Sequence, residues 1–285
     1  MPNSNDSRTT TETQDDFGWT PATGTLGRLI DEAETRVEAL RADRIALERQ
    51  ASQVEKPPSL RSALRRQNVA IIAEIKRASP SRGSIKLGLD PVAQARAYHE
   101  GGASAVSVLT EPESFRGSVE DLKQVKGEIP LPILKKDFHV DEIQLIEARA
   151  VGASAALLIV RALSPSRFKA LTDFAKGIGL EILAEVRDVR ELDTALAAGC
   201  EMIGVNNRNL ETLDVESGTA DSIIPRIPPE LIAIAESGYS TRDEIVAVAA
   251  AGADAVLVGS FLSASNEPAQ AVKAIIDVPR VNRVR

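Results

Sequence analysis

Aromatic residues, cysteine and histidine are all scarce in this chain of 285 residues. Aromatics make up 3% of it, so a core has to be built mainly from alanine, valine, isoleucine and leucine. The single cysteine, Cys200, cannot form an internal disulfide, which fits a reducing compartment. Two histidines and no cysteine cluster give little zinc-binding potential. We therefore expect a cytoplasmic protein with no disulfide framework and no metal.

Long apolar runs and an excess of positive charge are also missing. No stretch approaches the ~20 apolar residues that are needed to span a bilayer. The net charge of −7 argues against a general nucleic-acid binder, although a local basic pocket remains compatible with it. At 43% hydrophobic and 26% charged, the composition is that of an ordinary globular protein. We expect neither membrane nor nucleic acid as a partner.

The first 22 residues differ from the rest in composition. They are polar and lack the basic start and apolar run of a secretory signal, so we interpret residues 1–22 as a disordered leader. From residue 23 apolar positions recur at helical spacing, which predicts one amphipathic helix over about 24–54, ended by Pro57-Pro58. This helix should cover apolar surface of the domain that follows, giving a single domain over residues 23–285.

Short apolar runs alternate with helical patterns over the remaining chain. The predicted strands are Val69–Ile75, Ala105–Leu109, Pro132–Leu134, Ala155–Val160, Glu181–Val186, Met202–Val205, Leu231–Ala235 and Ala255–Val258. The predicted helices include Pro91–Glu100, Asp141–Val151, Pro165–Gly177, Asp188–Ala198 and Thr241–Ala251. Such alternation predicts an α/β fold with a parallel sheet that is covered on both faces.

A glycine followed by a small residue precedes four of these strands, at Gly102, Gly152, Gly199 and Gly252. Each can end a helix in the left-handed conformation. Eight strands in about 210 residues favour a closed (β/α)8 TIM barrel with an extra N-terminal helix. A doubly wound open sheet is the alternative, but no glycine-rich phosphate motif follows the first strand.

Charged residues occur where several of the predicted strands end, the catalytic edge of such a barrel. Side chains alternate faces along a strand, so Glu74 and Lys76 share a face and should point into the barrel mouth. The third strand ends in Lys135 and Lys136, of which only one can point inward, and the residues alone do not say which. Glu185 adds a second interior carboxylate. Carboxylates and lysines together suit general acid–base chemistry.

The seventh strand runs into Glu236-Ser237-Gly238 and the eighth into Gly259-Ser260. The loops after these two strands often bind phosphate in this fold through backbone N–H groups. Four other residues have plainer interpretations: Asp137 as a cap, His99 as a surface residue, His139 as a loop residue and Cys200 as part of the core.

Several ordered motifs resemble the indole-3-glycerol phosphate synthase family, and the resemblance runs from about residue 24 to 276. The motifs are IAEIKRASPSRG at Ile72–Gly83, SVLTEP at Ser107–Pro112, FRGS at Phe115–Ser118, LKKDF at Leu134–Phe138, AALLIV at Ala155–Val160, IGVNNRNL at Ile203–Leu210 and IAESG at Ile234–Gly238. The resemblance implies a carboxy-lyase of tryptophan biosynthesis. Its substrate would be 1-(2-carboxyphenylamino)-1-deoxyribulose 5-phosphate, which is cyclised, decarboxylated and dehydrated.

The resemblance also assigns catalytic roles by motif. Lys136 would be the general acid that protonates the substrate carbonyl oxygen during ring closure, which favours it over Lys135 as the inward lysine. Glu185 and Lys76 would act as acid–base groups in the dehydration, with Glu74 holding the lysines in place. Asn206 would orient the substrate hydroxyls.

Substrate contacts follow from the same motifs. Ser79 and Arg208 would lie at the anthranilate carboxylate, and Phe115, Phe138 and Leu157 would form an apolar wall against the aromatic ring. The resemblance implies a phosphorylated small molecule as the ligand and no cofactor, and we expect a monomer, with a weak dimer as the alternative.

The phosphate would be held by Ser237, Gly238, Gly259 and Ser260, with Lys76 nearby. The eighth loop departs from the family, since it reads Ser260-Phe261-Leu262-Ser263 where many relatives have Glu and then Ser-Leu-Met. We expect this difference to alter the rim of the site, and hence affinity more than reaction.

Two other functions compete with this interpretation. A related barrel isomerase acting on phosphoribosyl anthranilate would use a Cys–Asp pair at strand ends, whereas Cys200 precedes a strand. A non-catalytic phosphate-binding barrel is the second alternative, and the joint presence of five polar site residues counts against it.

Overall fold

The computed structural model describes residue 16 and residues 18–283. Within residues 18–283, eight parallel strands form a closed barrel in which each strand pairs with its neighbours in the sequence and the first pairs with the last. The strands are β1 (Ala70–Ile75), β2 (Ala105–Leu109), β3 (Ile133–Lys136), β4 (Ala155–Ile159), β5 (Glu181–Val186), β6 (Met202–Asn206), β7 (Ile232–Glu236) and β8 (Ala255–Val258). A separate antiparallel pair, Ala78–Ser79 with Gly83–Ser84, lies in the loop after β1. The expected TIM barrel is confirmed.

Helices surround the barrel and extend it at the N-terminus. They are α1 (Gly24–Ala42), α2 (Arg44–Gln53), α3 (Leu60–Leu64), α4 (Pro91–Glu100), α5 (Val119–Lys126), α6 (Glu142–Ala150), α7 (Pro165–Gly177), α8 (Val189–Ala197), α9 (Thr219–Ile223), α10 (Arg242–Ala250), α11 (Ser260–Ala264) and α12 (Pro268–Lys273). Single turns of 3₁₀ helix lie at Val160–Ala162 and Ile224–Arg226. Two helices begin where the sequence predicts: Asp141 and Thr241 are their N-cap residues and form capping boxes at α6 and α10.

The alternation of side chains along the strands separates two apolar cores. One lies inside the barrel and includes Ile72, Leu134, Leu183 and Ile234. The other, larger core contains the opposite strand faces, such as Ile71, and the helices packed on them. Both faces of each strand are therefore buried, which is why the strands are nearly continuous apolar runs.

The N-terminal extension corrects one expectation. The single helix predicted over about 24–54 is two helices, because Asp43 leaves the helical conformation and its N–H bonds to the carbonyl oxygens of Leu40 and Arg41. Ile45, which the apolar pattern included, is 83% exposed. The break redirects the chain so that Leu47 and Ala51 pack towards α6 instead of continuing along the barrel mouth.

The first helix does cover apolar surface, as expected. Leu26, Leu29 and Ala33 of α1 are buried against the interior core of the barrel. Burial of three such side chains contributes roughly 4–6 kcal/mol to docking of the extension. Helix α1 thus packs beside the barrel mouth.

Element boundaries agree closely with the sequence prediction. Strand β3 is longer than Pro132–Leu134 because its ladder with β2 continues through the two lysines, and β6 and β7 each include one further polar residue. The four glycines of the repeated pattern all have positive φ, between 77° and 97°. Residues 1–15 and 17 of the predicted leader lie outside the described residues; Asp16 binds Ser166, and Arg161 donates to the Thr20 carbonyl.

Candidate active site

A cavity of about 590 Å³ opens at the carboxyl ends of the barrel strands. All fourteen site residues that the sequence predicts line it: Glu74, Lys76, Ser79, Phe115, Lys136, Phe138, Leu157, Glu185, Asn206, Arg208, Ser237, Gly238, Gly259 and Ser260. They come from all eight strands or the loops that follow them. Closure of the barrel therefore brings together residues that are up to 186 positions apart in the chain.

Strand alternation explains which side chains enter the cavity. Leu134 lies in the interior core, so Lys136, two residues later, faces inward, and it lines the cavity. Lys135 points to the other face, where its Nζ lies 3.1 Å from Glu147 of α6 and 3.5 Å from Asp137. The alternative that the residues left open is thus decided in favour of Lys136.

Two lysine–carboxylate pairs lie in the cavity. Lys76 Nζ is 2.7 Å from Glu74 Oε1, and Lys136 Nζ is 3.1 Å from Glu185 Oε2. Asn206 Nδ2 donates to Glu185 Oε1 at 2.9 Å, so both oxygens of that carboxylate have partners. The glutamates are almost fully buried while the lysines keep about 15% exposure, which turns the ammonium groups towards a ligand.

Lys136 is surrounded by negative charge. Burial opposes its ionisation, but attraction to Glu185, Glu236 and Glu74 is stronger, and its pKa is raised. Lys136 is therefore an ammonium at neutral pH and carries a proton that can be donated.

Glu236 lines the cavity as well, although the sequence analysis noted it only as the end of a strand and gave it no role in the site. It ends β7, with its Oε2 3.5 Å from Lys136 Nζ, and its Oε1 has no hydrogen-bond partner. Burial, with repulsion from Glu185 and Glu74, raises the pKa of Glu236 to about 8, against the attraction of Lys136. The signal was present in the alternation that continues from Ile234, so Glu236 faces the interior.

The Ser-Gly end of the cavity has an unusual backbone. Ser237 has φ 66° and Gly238 has φ 95°, and the serine is one of few non-glycine residues with positive φ among those described. A Cβ on Gly259 would overlap Glu74 Oε1 and lie 2.7 Å from Lys76 Nζ. Lys76 Nζ therefore lies next to Gly259 at the Ser-Gly end of the cavity, as expected.

An apolar wall and a cationic rim complete the cavity. Phe115 and Phe138 pack with ring centroids 6.2 Å apart, tilted by 42°. Arg208 lies on the rim with Arg82, which the sequence analysis did not single out. Burial, and then repulsion from Arg82, lowers the pKa of Arg208, so an anion would relieve an existing cost there.

A buried polar network connects the N-terminal helix to this wall. Arg36 of α1 donates to Asp137 at 2.7 Å, and Asp137 also accepts from Thr110 Oγ1 at 2.6 Å. Glu111 accepts backbone N–H groups of residues 113–115, which carry Phe115. Asp137 is therefore an ion-paired residue that lines the cavity rather than only a cap.

Three other residues have the following positions. Cys200 is buried in the outer core and burial raises its pKa to about 11, whereas His99 is exposed; both agree with expectation. His139 lies in the loop after β3, as expected, and is buried there at 2% exposure, with Nδ1 2.8 Å from the Leu157 carbonyl oxygen.

Ser263 corrects the expectation for the eighth loop. Phe261 lines the cavity, but Ser263 is fully buried behind it and does not reach the rim.

Among residues 18–283 no helix is both long and apolar enough to cross a bilayer. No group of three or more His, Cys, Asp or Glu side chains in that range is arranged to hold a metal ion.

The chain is similar over most of its length to proteins of one enzyme family. The family model for indole-3-glycerol phosphate synthase matches residues 26–275. A protein of that name from Chlorobium chlorochromatii is 45% identical over 247 residues, which is 85% of this chain and 96% of the relative. Another, from Mycolicibacterium vanbaalenii, is 43% identical over 249 residues, covering 84% of this chain and 92% of the relative.

Solved structures with lower sequence identity share the fold. A 3-hexulose-6-phosphate synthase from Salmonella typhimurium superimposes with a TM-score of 0.58 at 15% identity, covering 73% of this chain and 96% of that one. A thiamine phosphate pyrophosphorylase from Pyrococcus furiosus gives 0.56 at 18% identity, covering 76% of this chain and 96% of that one. At these identities the likeness concerns the barrel alone.

Proposed function

Because this chain belongs to the indole-3-glycerol phosphate synthase family, we propose that its barrel cavity cyclises, decarboxylates and dehydrates 1-(2-carboxyphenylamino)-1-deoxyribulose 5-phosphate. The reaction makes it a carboxy-lyase of tryptophan biosynthesis. One observation carries the proposal of this site: two lysines and three carboxylates meet in one cavity between an apolar wall and a Ser-Gly end.

Lys136 is the general acid of ring closure in this proposal. Ring closure places negative charge on the substrate carbonyl oxygen, and a positioned ammonium stabilises that charge and supplies the proton. Its raised pKa keeps Lys136 charged until such a base develops beside it. Glu236, with a pKa near 8, lies 3.5 Å away and supports proton exchange with Lys136 near neutral pH.

Glu185 and Lys76 act in the later dehydration, in which a proton leaves carbon and a hydroxyl leaves with a proton. Both line the cavity, and each already has a partner of opposite charge or a hydrogen-bond donor, Glu74 for Lys76 and Asn206 for Glu185. These partners fix the orientation of the reacting groups. The remaining polar atoms of Asn206 and Glu74 serve to orient substrate hydroxyls and to balance the lysine charge.

The substrate lies across the cavity from the apolar wall to the Ser-Gly end. The anthranilate ring packs on Phe115, Phe138 and Leu157, and its carboxylate faces Ser79 and Arg208. Binding in this way bends the substrate so that its ring carbon approaches its carbonyl carbon, which is the main requirement of cyclisation.

The phosphate lies at the opposite end, against Ser237, Gly238, Gly259 and Ser260. Positive potential has to be concentrated there because the protein as a whole carries a net charge of −7. Lys76 supplies it, since its Nζ lies beside Gly259.

The experiment that tests this function measures indole fluorescence with purified protein. Supplying the synthase substrate and, separately, phosphoribosyl anthranilate distinguishes the synthase from the isomerase. Replacement Lys136→Ala should lower kcat by about 10²–10⁴-fold while leaving the fold intact, since a general acid contributes that much. Lys123→Ala, on the exposed face of α5, is the matched control. A near-normal rate in Lys136→Ala would show that the assigned role is wrong.

Complementation of a tryptophan auxotroph distinguishes the enzyme from a non-catalytic barrel. Growth is expected; failure of growth despite soluble expression would favour a binding protein.

We also propose that the chain acts as a cytoplasmic monomer. Among the described residues only a few large apolar side chains are exposed, such as Ile45, Leu87 and Val246. Light scattering after gel filtration measures the oligomeric state, and a stable dimer would reject the proposal.

A further inference from the structure

The end of strand β1 is paired unequally with its two neighbours. Towards β2 the register continues to Ile75, which is opposite Val108. Towards β8 it stops at Ala73, which is opposite Val258, because the chain then turns into α11. The two polar residues of this strand end, Glu74 and Lys76, lie where the β8 side of the ladder has already stopped.

A missing strand residue would leave two backbone groups without partners. In a parallel ladder, one residue donates its N–H to the carbonyl of the residue before its opposite number and accepts from the N–H of the residue after it. Extending the register of Ala73 and Val258 by two positions would place Ser260 opposite Ile75. Ser260 would then bond to the Glu74 carbonyl and the Lys76 N–H, but it begins α11 instead.

The hydroxyl of Ser263 supplies both of these bonds. Its Oγ accepts from the Lys76 backbone N–H at 3.1 Å and donates to the Glu74 carbonyl oxygen at 2.8 Å. One hydroxyl can do this because it is both donor and acceptor. Ser263 is fully buried and does not line the cavity, so its effect on a ligand has to pass through β1.

Helix α4 holds this arrangement from behind. Gln94 Nε2 donates to the carbonyl of Leu262, the residue before Ser263, at 3.1 Å. Tyr98, one turn later and fully buried, donates its hydroxyl to the Glu74 carbonyl at 3.0 Å. Buried polar groups are costly without partners, so the complete pairing here rigidifies the strand end.

We propose that Ser263 is a positioning residue of this enzyme: its hydroxyl replaces a missing ladder residue and thereby fixes where Glu74 and Lys76 enter the cavity. The inference rests on the proposed function, in which Lys76 is a catalytic residue. Ser260 and Ser263 belong to the same short helix, α11. The proposed role therefore also links Ser260 at the phosphate end to the Glu74–Lys76 ion pair.

The test replaces Ser263 by alanine and, separately, by cysteine, whose thiol has a similar size but hydrogen-bonds weakly. Wild-type turnover is measured first, so that failure of the proposed function is distinguished from failure of this inference. The matched control is Ser154→Ala. Ser154 is also buried, and its hydroxyl accepts a backbone N–H, that of Ile133 at 3.1 Å, at the opposite end of the barrel.

The readouts are kcat, KM and the inhibition constant of inorganic phosphate. We expect Ser263→Ala to lower kcat by about 10–100-fold, since a small displacement of reacting groups costs that much. The inhibition constant of phosphate should rise as well, but by a smaller factor than kcat falls, because Lys76 supplies only part of the contacts at the phosphate end. Ser154→Ala should leave kcat within about twofold of wild type. Tyr98→Phe, which removes only the second donor to Glu74, should give an intermediate loss.

Three results would overturn the inference. One is a kcat of Ser263→Ala within twofold of an active wild type. Another is a loss of phosphate binding larger than the loss of kcat, which would indicate that α11 has loosened as a whole. The third is failure of both Ser263 variants to fold, which would assign the hydroxyl to the fold and not to the position of Lys76.

Discussion

Replacing Glu236 by glutamine should stabilise the protein increasingly as pH rises. Glu236 is almost fully buried, and its pKa is raised by burial to about 8 from an ordinary value of 4.5. Between these two values the folded state holds a proton that the unfolded state has lost. The free energy of unfolding of the wild type therefore falls as pH rises through this window, and the loss is complete above about pH 8.

The size of the effect follows from the same shift. The difference between 4.5 and about 8 corresponds to at most about 5 kcal/mol. Glu236 titrates together with its neighbours Lys136, Glu185 and Glu74, whose charges respond to its ionisation, so we expect a smaller effect of about 2–3 kcal/mol. Glutamine has the shape of the protonated acid and carries no charge, so the variant should match the wild type near pH 4.5 and exceed its stability by this amount above pH 8.

Urea unfolding at several pH values between 5 and 9 measures this difference directly. Glu120→Gln, on the exposed face of α5, is the control and should leave the pH dependence unchanged. A stability difference between Glu236→Gln and wild type that stays constant over this range would refute the reasoning, since it would mean that Glu236 is ionised alike in both states.

Three further predictions concern close packing and buried charge near the cavity. Gly204→Ala would place a Cβ against Glu236 Oε1, the end of a flexible side chain, so kcat should fall about tenfold or more with stability changed by less than about 1 kcal/mol, measured by steady-state kinetics and urea unfolding. Gly259→Ala should raise KM and lower kcat together, because its Cβ displaces groups at the phosphate end; an unchanged KM would contradict the placement of that end. Arg36→Leu leaves the buried Asp137 without its 2.7 Å partner, and thermal unfolding should show a loss of about 1–3 kcal/mol that disappears at a pH low enough to protonate this carboxylate, whose pKa is lowered despite burial by attraction to Lys135 and Arg36.

Much of the fold is readable from the sequence because each signal is local. The apolar runs predict strands, the glycines that end helices predict the repeat, and the two together predict a closed barrel, which the structure confirms. The extension shows where a local signal fails. The spacing of apolar residues continues past Asp43, but a turn at that residue leaves Ile45 exposed, and such a turn leaves little trace in periodicity.

Part of the candidate site was also predictable, since catalytic groups in a barrel lie at strand ends. Glu236 was noted at the end of its strand but given no role, although the alternation from Ile234 places it inside. The choice between Lys135 and Lys136 needed either a resemblance or the partner of Lys135 on α6, because adjacent residues are equivalent until one face is known.

The sequence by itself determined the strands, most of the helices and the barrel class, because periodicity and strand-end position depend only on neighbours along the chain. The full set of fourteen residues at the barrel mouth followed only from the resemblance of the motifs to one family. The tertiary structure decided which charged groups lie close enough to interact and which backbone atoms find hydrogen-bond partners. The proton on Glu236 depends on carboxylates from two other strands, and the Ser263 hydroxyl completes a strand nearly 190 residues earlier in the chain. Electrostatic attraction and hydrogen bonding act over a few ångströms of space, and only the closed barrel brings those groups that close.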